Sequence, residues 1–96
     1  MSRPSQFSFW LYVAGNSPNS VLAINNLAAF CRDSLTERYE LKIIDIFLEP
    51  ERALKEGIFL TPTLVVLTPP PVRKIVGTLS QLQTVLRILG LLDKTP

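Results

Sequence analysis

Apolar and polar positions divide this chain into stretches of two periods, one suited to strands and one to helices. Residues 7–15 read FSFWLYVAG, a run of aromatic and apolar side chains ended by Gly15, which is the composition of a strand. Phe7, Phe9, Leu11 and Val13 fill one set of alternate positions, while Trp10 and Tyr12 point the other way. Both faces are therefore apolar, and the strand is expected at the centre of a sheet covered on both sides. In the following NSPNS, Ser17 is placed to cap a helix and Pro18 suits its first position. From there Val21, Ile24, Ala28, Cys31 and Leu35 recur at spacings of three and four, widened by Leu27 and Phe30, with Asn25, Asn26, Arg32, Asp33 and Glu37 mostly opposite. That pattern predicts an amphipathic helix lying on the sheet.

Residues 39–48, YELKIIDIFL, read as a second strand whose apolar middle favours parallel pairing beneath helices. Glu49, Pro50 and Glu51 then open a short helix of about two turns that Gly57 ends. The segment LTPTLVVLTPPP, residues 60–71, brackets a third strand. Pro62 has no N–H and a fixed φ, so it can open a strand but not sit inside a central one, and pairing must stop at Pro69. A fourth strand covers 72–76, with a turn at Gly77. The last helix is expected to open with Thr78 or Ser80 as cap, each followed three residues later by a Gln. Its buried stripe is Leu79, Leu82, Val85, Leu86, Leu89 and Leu92, with Ile88 adding a further apolar position and Gly90 weakening the end. The order β-α-β-α-β-β-α, with a parallel crossover first and a Pro-rich antiparallel hairpin later, is an α/β class and the layout of the thioredoxin fold.

The length of 96 residues allows one core. The expected organisation is a loose arm over 1–6, one domain over 7–93 and a short tail over 94–96. An apolar fraction of 47% against 19% charged is high for so short a chain, so apolar surface is expected to be covered by a partner or by self-association. A net charge of +2 is too small for a nucleic-acid binder. MSRPSQF lacks an apolar signal core and no run approaches the length of a membrane span, which reads as a cytoplasmic protein. The single Cys31 excludes an internal disulfide and fits a reducing compartment.

Candidate chemistry is sparse. There is no His, so the commonest general base is missing and neither Ser–His nor Cys–His pairs can be built. Zinc lacks its usual ligands, and GNSPNS is not a phosphate loop. No cofactor, metal or catalytic residue is expected. Asp45, inside KIIDIF, reads as a structural carboxylate at a strand end whose charge needs hydrogen bonds, and Cys31 as a core thiol.

Thr61-Pro62-Thr63-Leu64 resembles the Pro-bearing loop of thioredoxin-like proteins, where that Pro is usually cis and faces a Cys-x-x-Cys. Here the facing position reads Asn16-Ser17-Pro18-Asn19-Ser20, which leaves disulfide exchange without an attacking or a resolving sulfur. Over nearly the whole chain, FWLYVAGNSPNSVLAINNL, YELKIIDIFLEP and TPTLVVLTPPPVRKIVGTLS are similar to the KaiB family of clock proteins. The resemblance implies a non-catalytic protein that binds the ring-shaped ATPase KaiC and modulates its phosphorylation cycle. It also implies two states, a homotetrameric (or dimeric) ground state with a different C-terminal half and a monomeric thioredoxin-like state that binds KaiC. On this resemblance Tyr12, Lys42, Arg73 and Lys74 are partner-binding positions. Gly15, Pro18, Thr61, Pro62, Pro69, Pro70, Pro71 and Gly77 are the positions tied to the fold and its switch. Bland readings stand beside these: Lys42 as a solvent-facing edge residue, Arg73 and Lys74 as protection of a sheet edge, Trp10 and Tyr12 as core.

The chain departs from the family where a basic residue is usual at Leu22 and near Asn25, Gly57 and Val66, where Thr78 replaces an acid, and where Ile88-Leu89-Gly90 replaces Gly-Leu-Asp. These departures imply a divergent paralogue, serving a different KaiC homologue or a stress response. The alternatives are a stand-alone relative of the KaiB-like sensor domain of some histidine kinases, competing for the same KaiC surface, and a reductase working through Cys31.

Overall fold

A computed structural model describes residues 6–35 and 38–92. Of the arm expected over 1–6 only Gln6 is among them. Glu37 and the tail 94–96 lie outside the described residues.

Among the described residues, four strands and three helices follow one another as β1 (Phe7–Val13), α1 (Pro18–Phe30), β2 (Tyr39–Asp45), α2 (Pro50–Glu56), β3 (Thr63–Thr68), β4 (Arg73–Val76) and α3 (Leu82–Ile88). A π-helical turn, Cys31–Leu35, extends α1. The sheet order is β2-β1-β3-β4. β1 runs parallel to β2, with Phe7 opposite Tyr39 and Val13 opposite Asp45, and antiparallel to β3, with Tyr12 opposite Thr63. β3 and β4 form the antiparallel hairpin, Thr63 opposite Val76 and Val66 opposite Arg73. This is the thioredoxin-like arrangement expected from the element order.

The two faces of β1 feed two cores. Phe7, Phe9, Leu11 and Val13 join Leu64 and Val66 beneath α1 and α3, against Ala23, Leu27, Phe30, Cys31, Leu82 and Leu86. Tyr12 joins Ile44 and Val65 beneath α2, against Ala53 and Ile58, with Trp10 packed at the margin. β3, continuously apolar from Leu64 to Val66, is buried on both sides as a central strand must be. It lies between two prolines, and the Thr61-Pro62, Thr68-Pro69 and Pro70-Pro71 bonds are all cis.

Three expectations need correction. The face that α1 buries is rotated by about one residue: Ser20, Ala23 and Leu27 are buried, whereas Val21 and Ala28 are exposed. The cause is polar. The Ser20 hydroxyl oxygen accepts from the Ala14 N–H (3.1 Å) and from the Ser17 hydroxyl (2.8 Å), so its burial is satisfied and turns the next small residue inward. Ser17 occupies the cap position but its hydroxyl is used in that bond rather than on the helix N–H groups. β2 ends at Asp45, with a turn over 46–48, and it is an edge strand on which Ile43 is exposed. Finally, α3 begins at Leu82, and neither Thr78 nor Ser80 caps it. Leu79 takes a positive φ of 66° and tucks its side chain into the core ahead of the helix, while Asn26 Nδ2 donates to the Thr78 carbonyl (2.9 Å). The side chain of Leu79 thus docks α3 before its first turn. Ile88 and Leu89 of the expected stripe are exposed, and Val85 is half-buried.

Candidate interaction site at the loop end of the sheet

The strand directions bring Val13, Asp45, Thr63 and Val76 to the same end of the sheet. The β1–α1, β2–α2 and α2–β3 connections and the turn at Gly77 therefore crowd together there. Asp45 joins the first two: its Oδ1 accepts from the Gly15 N–H (3.2 Å) and the Phe47 N–H (2.9 Å). This is the hydrogen-bonded strand-end carboxylate expected from KIIDIF. Gly15 has φ +52°, and a Cβ there would meet the Phe47 ring at 3.4 Å, so the position suits glycine on both counts. Thr63 Oγ1 donates to the Leu60 carbonyl (2.6 Å), and the Gly77 N–H donates to the Pro62 carbonyl (2.9 Å). These bonds hold the loops on either side of Pro62.

The loops are firm but their side chains are not covered. Phe47, Leu48, Phe59 and Leu60 are exposed, Phe59 at 85%, and Leu54 of α2 and Val76 of β4 add to the apolar surface. The composition foretold uncovered apolar area but not its place. The signal for the place is a Phe-Leu pair between Gly57 and Pro62, where neither helix nor strand can continue.

Chemistry at this end is limited. Ser17 and Ser20, spaced as the two cysteines of a thioredoxin would be, face each other as a hydroxyl pair. Cys31 lies 14 residues after Ser17, roughly 20 Å along the helix, fully buried, and burial pushes its thiol up from 9.0 to about 11. At neutral pH it is a protonated core thiol with no thiolate to attack a substrate. No cluster of His, Cys, Asp or Glu suited to a metal occurs among the described residues. Because the pKa is raised on folding, the stabilisation from the neutral thiol is complete below about pH 9 and is lost as pH rises through about 11. Denaturant titrations at pH 8, 9.5 and 10.5 should show that loss, and Cys31→Ala should make the curve shallower.

The expected partner-binding residues fall in three environments. Lys42, Trp10, Val65 and Lys74 are successive register partners and form one row across the α2 side of the sheet. Lys42 is exposed on the edge strand. Trp10 carries the Arg52 guanidinium over its ring at 4.4 Å, and Arg52 is also paired with Glu49 (3.3 Å), a stacked arrangement that sequence reading did not find. Lys74 donates to the Glu56 carbonyl at the end of α2, beside the left-handed Gly57, where a cation complements the helix dipole. Arg73 lies one position away, on the opposite face, and donates to the Pro71 carbonyl (3.1 Å).

Tyr12 differs from the other three: it is wholly buried in this arrangement. Among the described residues its buried hydroxyl has no hydrogen-bond partner. Burial raises its pKa above the ordinary phenol value; nearby Arg52 pulls the other way without closing a hydrogen bond of good geometry. Since an unsatisfied buried hydroxyl is costly, Tyr12→Phe should raise stability by about 1 kcal/mol in urea denaturation. Among the departures from the family pattern, Leu22 and Asn25 lie on the outer face of α1, Val66 is buried in β3, and Gly90 closes α3 with φ +78°.

No helix among the described residues is long and apolar enough to cross a membrane. The family model of the KaiB domain matches residues 10–91. The chain is 49% identical over 82 residues to the circadian clock oscillator protein KaiB of Rippkaea orientalis, covering 85% of this chain and 79% of that one. It is 46% identical over 82 residues to the protein of the same name from Prochlorococcus marinus strain MIT 9312, covering 85% and 78%. Among solved structures, the N-terminal domain of SasA from Synechococcus elongatus superposes with a TM-score of 0.75 at 15% identity, covering 100% of this chain and 93% of that one. Chloroplastic thioredoxin z gives 0.74 at 19%, covering 90% and 77%, and at such identities these two likenesses speak for the fold alone. Sequence and fold together show that this chain belongs to the KaiB family of circadian clock proteins.

Proposed function

We propose that this chain is a non-catalytic regulator that docks on a KaiC-type ATPase in its thioredoxin-like arrangement and so modulates that partner's phosphorylation and ATPase cycle. The observation that carries the reading is the exposed apolar cluster of Phe47, Leu48, Phe59 and Leu60 at the loop end of a KaiB-family sheet. Exposed clusters of this kind mark interaction surfaces, and aromatic anchors supply most of the affinity where they become buried. Lys42, Arg73 and Lys74 serve as the charged margin, governing encounter rate and choice of partner more than affinity. Tyr12 acts from beneath, as a support for the strand that carries Trp10.

The second half of the reading is conformational. Residues 49–77 contain Pro50, Gly57, Pro62, Pro69, Pro70, Pro71 and Gly77 between short apolar runs, so two packings within a few kcal/mol of each other are attainable there. In the other packing the chain is stored as a homotetramer or dimer, which covers apolar surface, and release as a monomer exposes the docking end. Gly15 and Pro18 stay with the constant first half; Thr61, Pro62, the three following prolines and Gly77 punctuate the half that changes. The setting is the cytoplasm, with neither nucleic acid nor membrane as partner.

The test is co-elution with each KaiC homologue of the source organism, with ATP and with ADP, after long incubation. Nucleotide-dependent co-elution is expected, and the double change Phe59→Ala, Leu60→Ala should weaken it by about tenfold or more without lowering the melting temperature. Failure to bind any homologue overturns the reading. That the chain takes the thioredoxin-like arrangement favours a second possibility, a permanent monomer that competes for the same surface. Size-exclusion chromatography across a concentration series separates them: a tetramer that dissociates on dilution supports the switch, and a monomer throughout supports the competitor.

A further inference from the structure

At the opposite end of the sheet from the apolar loops, a cleft of about 410 Å³ lies between the start of β1, the π-helical turn and α3. Its polar lining consists of Gln6, Ser34, Arg38, Gln83 and Arg87, and no carboxylate lines it among the described residues. The two arginines are the notable members. Arg32 is paired with Asp33, Arg52 with Glu49, and Arg73 with a carbonyl, whereas no hydrogen bond or ion pair engages the side chain of Arg38 or Arg87 among the described residues. These two guanidinium groups line the same cleft.

Their placement comes from backbone that is well tied down. The Arg38 N–H donates to the Leu35 carbonyl (3.0 Å), and its own carbonyl accepts from the Phe7 N–H (3.2 Å), which fixes the entry into β2. Arg87 stands in the last turn of α3, which the Leu91 N–H closes onto the Leu86 carbonyl (2.9 Å). The lining is mostly polar; its smaller apolar part comes from half-buried Leu91 and Leu92, backed by buried Phe7 and Leu35. Among the described residues, every polar side chain of the lining carries at least one donor, and the formal charges are positive.

We propose that this cleft binds a small phosphate monoester, with the phosphate held between Arg38 and Arg87 and the organic body lying against half-buried Leu91 and Leu92. Guanidinium groups match phosphate in planar, two-bond geometry. The volume falls in the range of small-molecule sites and exceeds what a bare phosphate needs, which is why the ligand carries an apolar part. The site joins residues from all three thirds of the chain, so a bound ligand stabilises this packing of α3 through mass action. It is independent of the KaiC reading: the loop end and this cleft lie at opposite ends of the sheet.

Titration of the full chain with phenyl phosphate, followed by amide NMR, tests the site, with inorganic phosphate, benzoate and phenol as comparisons. Shifts are expected at Ser34, Arg38, Gln83 and Arg87, with phenyl phosphate bound about tenfold more tightly than inorganic phosphate and phenol not bound. Arg38→Gln and Arg87→Gln should each weaken binding by about tenfold, the loss expected for one charge-assisted contact. Both side chains are exposed, so the variants should retain the unliganded melting temperature and circular dichroism. The proposal is overturned by absence of shifts up to about 10 mM, too weak to count as a site. It is equally overturned by shifts confined to Lys42 and Lys55, by unchanged affinity in both variants, or by benzoate binding as well as phenyl phosphate.

Discussion

Phe9→Ala should lower the free energy of unfolding by about 3–5 kcal/mol, the cost of emptying a buried aromatic site. Phe9 has no exposed surface. It stands on the central strand between Leu41 of β2 and Val66 of β3, and it stacks on Phe7 with ring centroids 5.6 Å apart. Neighbours on both sides belong to paired strands and cannot collapse into the void, so the cavity persists and the cost lies at the upper end of the range. A chain of this length has roughly 5–14 kcal/mol of stability in all, so the melting temperature should fall by roughly 15–30 °C. Phe59→Ala is the matching control. It removes the same atoms from a side chain exposed at 85% and should change stability by no more than about 0.5 kcal/mol. Urea unfolding of the two variants with unchanged m-values checks both. Equal losses would contradict the assignment of one Phe to the core and the other to a contact surface.

Asp45→Ala should cost about 1–3 kcal/mol, because one carboxylate oxygen serves the N–H groups of both Gly15 and Phe47. The Phe47 N–H is exposed and water replaces its partner, so most of the cost falls on the half-buried Gly15. Asp45→Asn keeps an acceptor oxygen in place and should lose about half as much. Hydrogen exchange at the Gly15 and Phe47 amides provides the site-specific reading, with faster exchange expected in the Ala variant. The larger effect should be on partner binding, because the carboxylate ties the β1–α1 loop to the loop that presents Phe47 and Leu48. A loop freed from that tie must be ordered again on docking, at a cost that appears as lost affinity.

These effects depend on which end of the sheet each residue occupies, and the sequence is informative about ends to different degrees. The prolines of 60–71 delimit β3 because they cannot donate to a ladder, and that consequence holds in any tertiary setting. The same is true of Gly57, whose left-handed φ of 73° ends α2 where expected. By contrast, a helix stripe wide enough to include both Ala23 and Ala28 does not decide its own centre. Ser20 decided it, through bonds to Ala14 and Ser17 that exist only once β1 and α1 are in place. The start of α3 is likewise set by tertiary contacts. Thr78 and Ser80 both fit a capping pattern, but docking of Leu79 into the core and the Asn26 bond to Thr78 hold the chain out of helical geometry until Leu82.

By itself the sequence determined the class, the order of elements, the two-sided burial of β1, the structural role of Asp45 and the lack of a cysteine pair, each of which follows from local stereochemistry or from the presence or absence of an atom. Tertiary structure decided the rest. It buried Tyr12, a residue whose sequence neighbourhood is compatible with core or contact, because its register partners Ile44 and Thr63 place it beneath α2. It parted Arg73 from Lys74, adjacent in sequence but on opposite faces of a strand of period two. It also gathered Arg38 and Arg87, 49 positions apart, around one cleft. Contacts between distant residues depend on how strands pair and helices dock, and that pairing is settled by the packing of the whole chain.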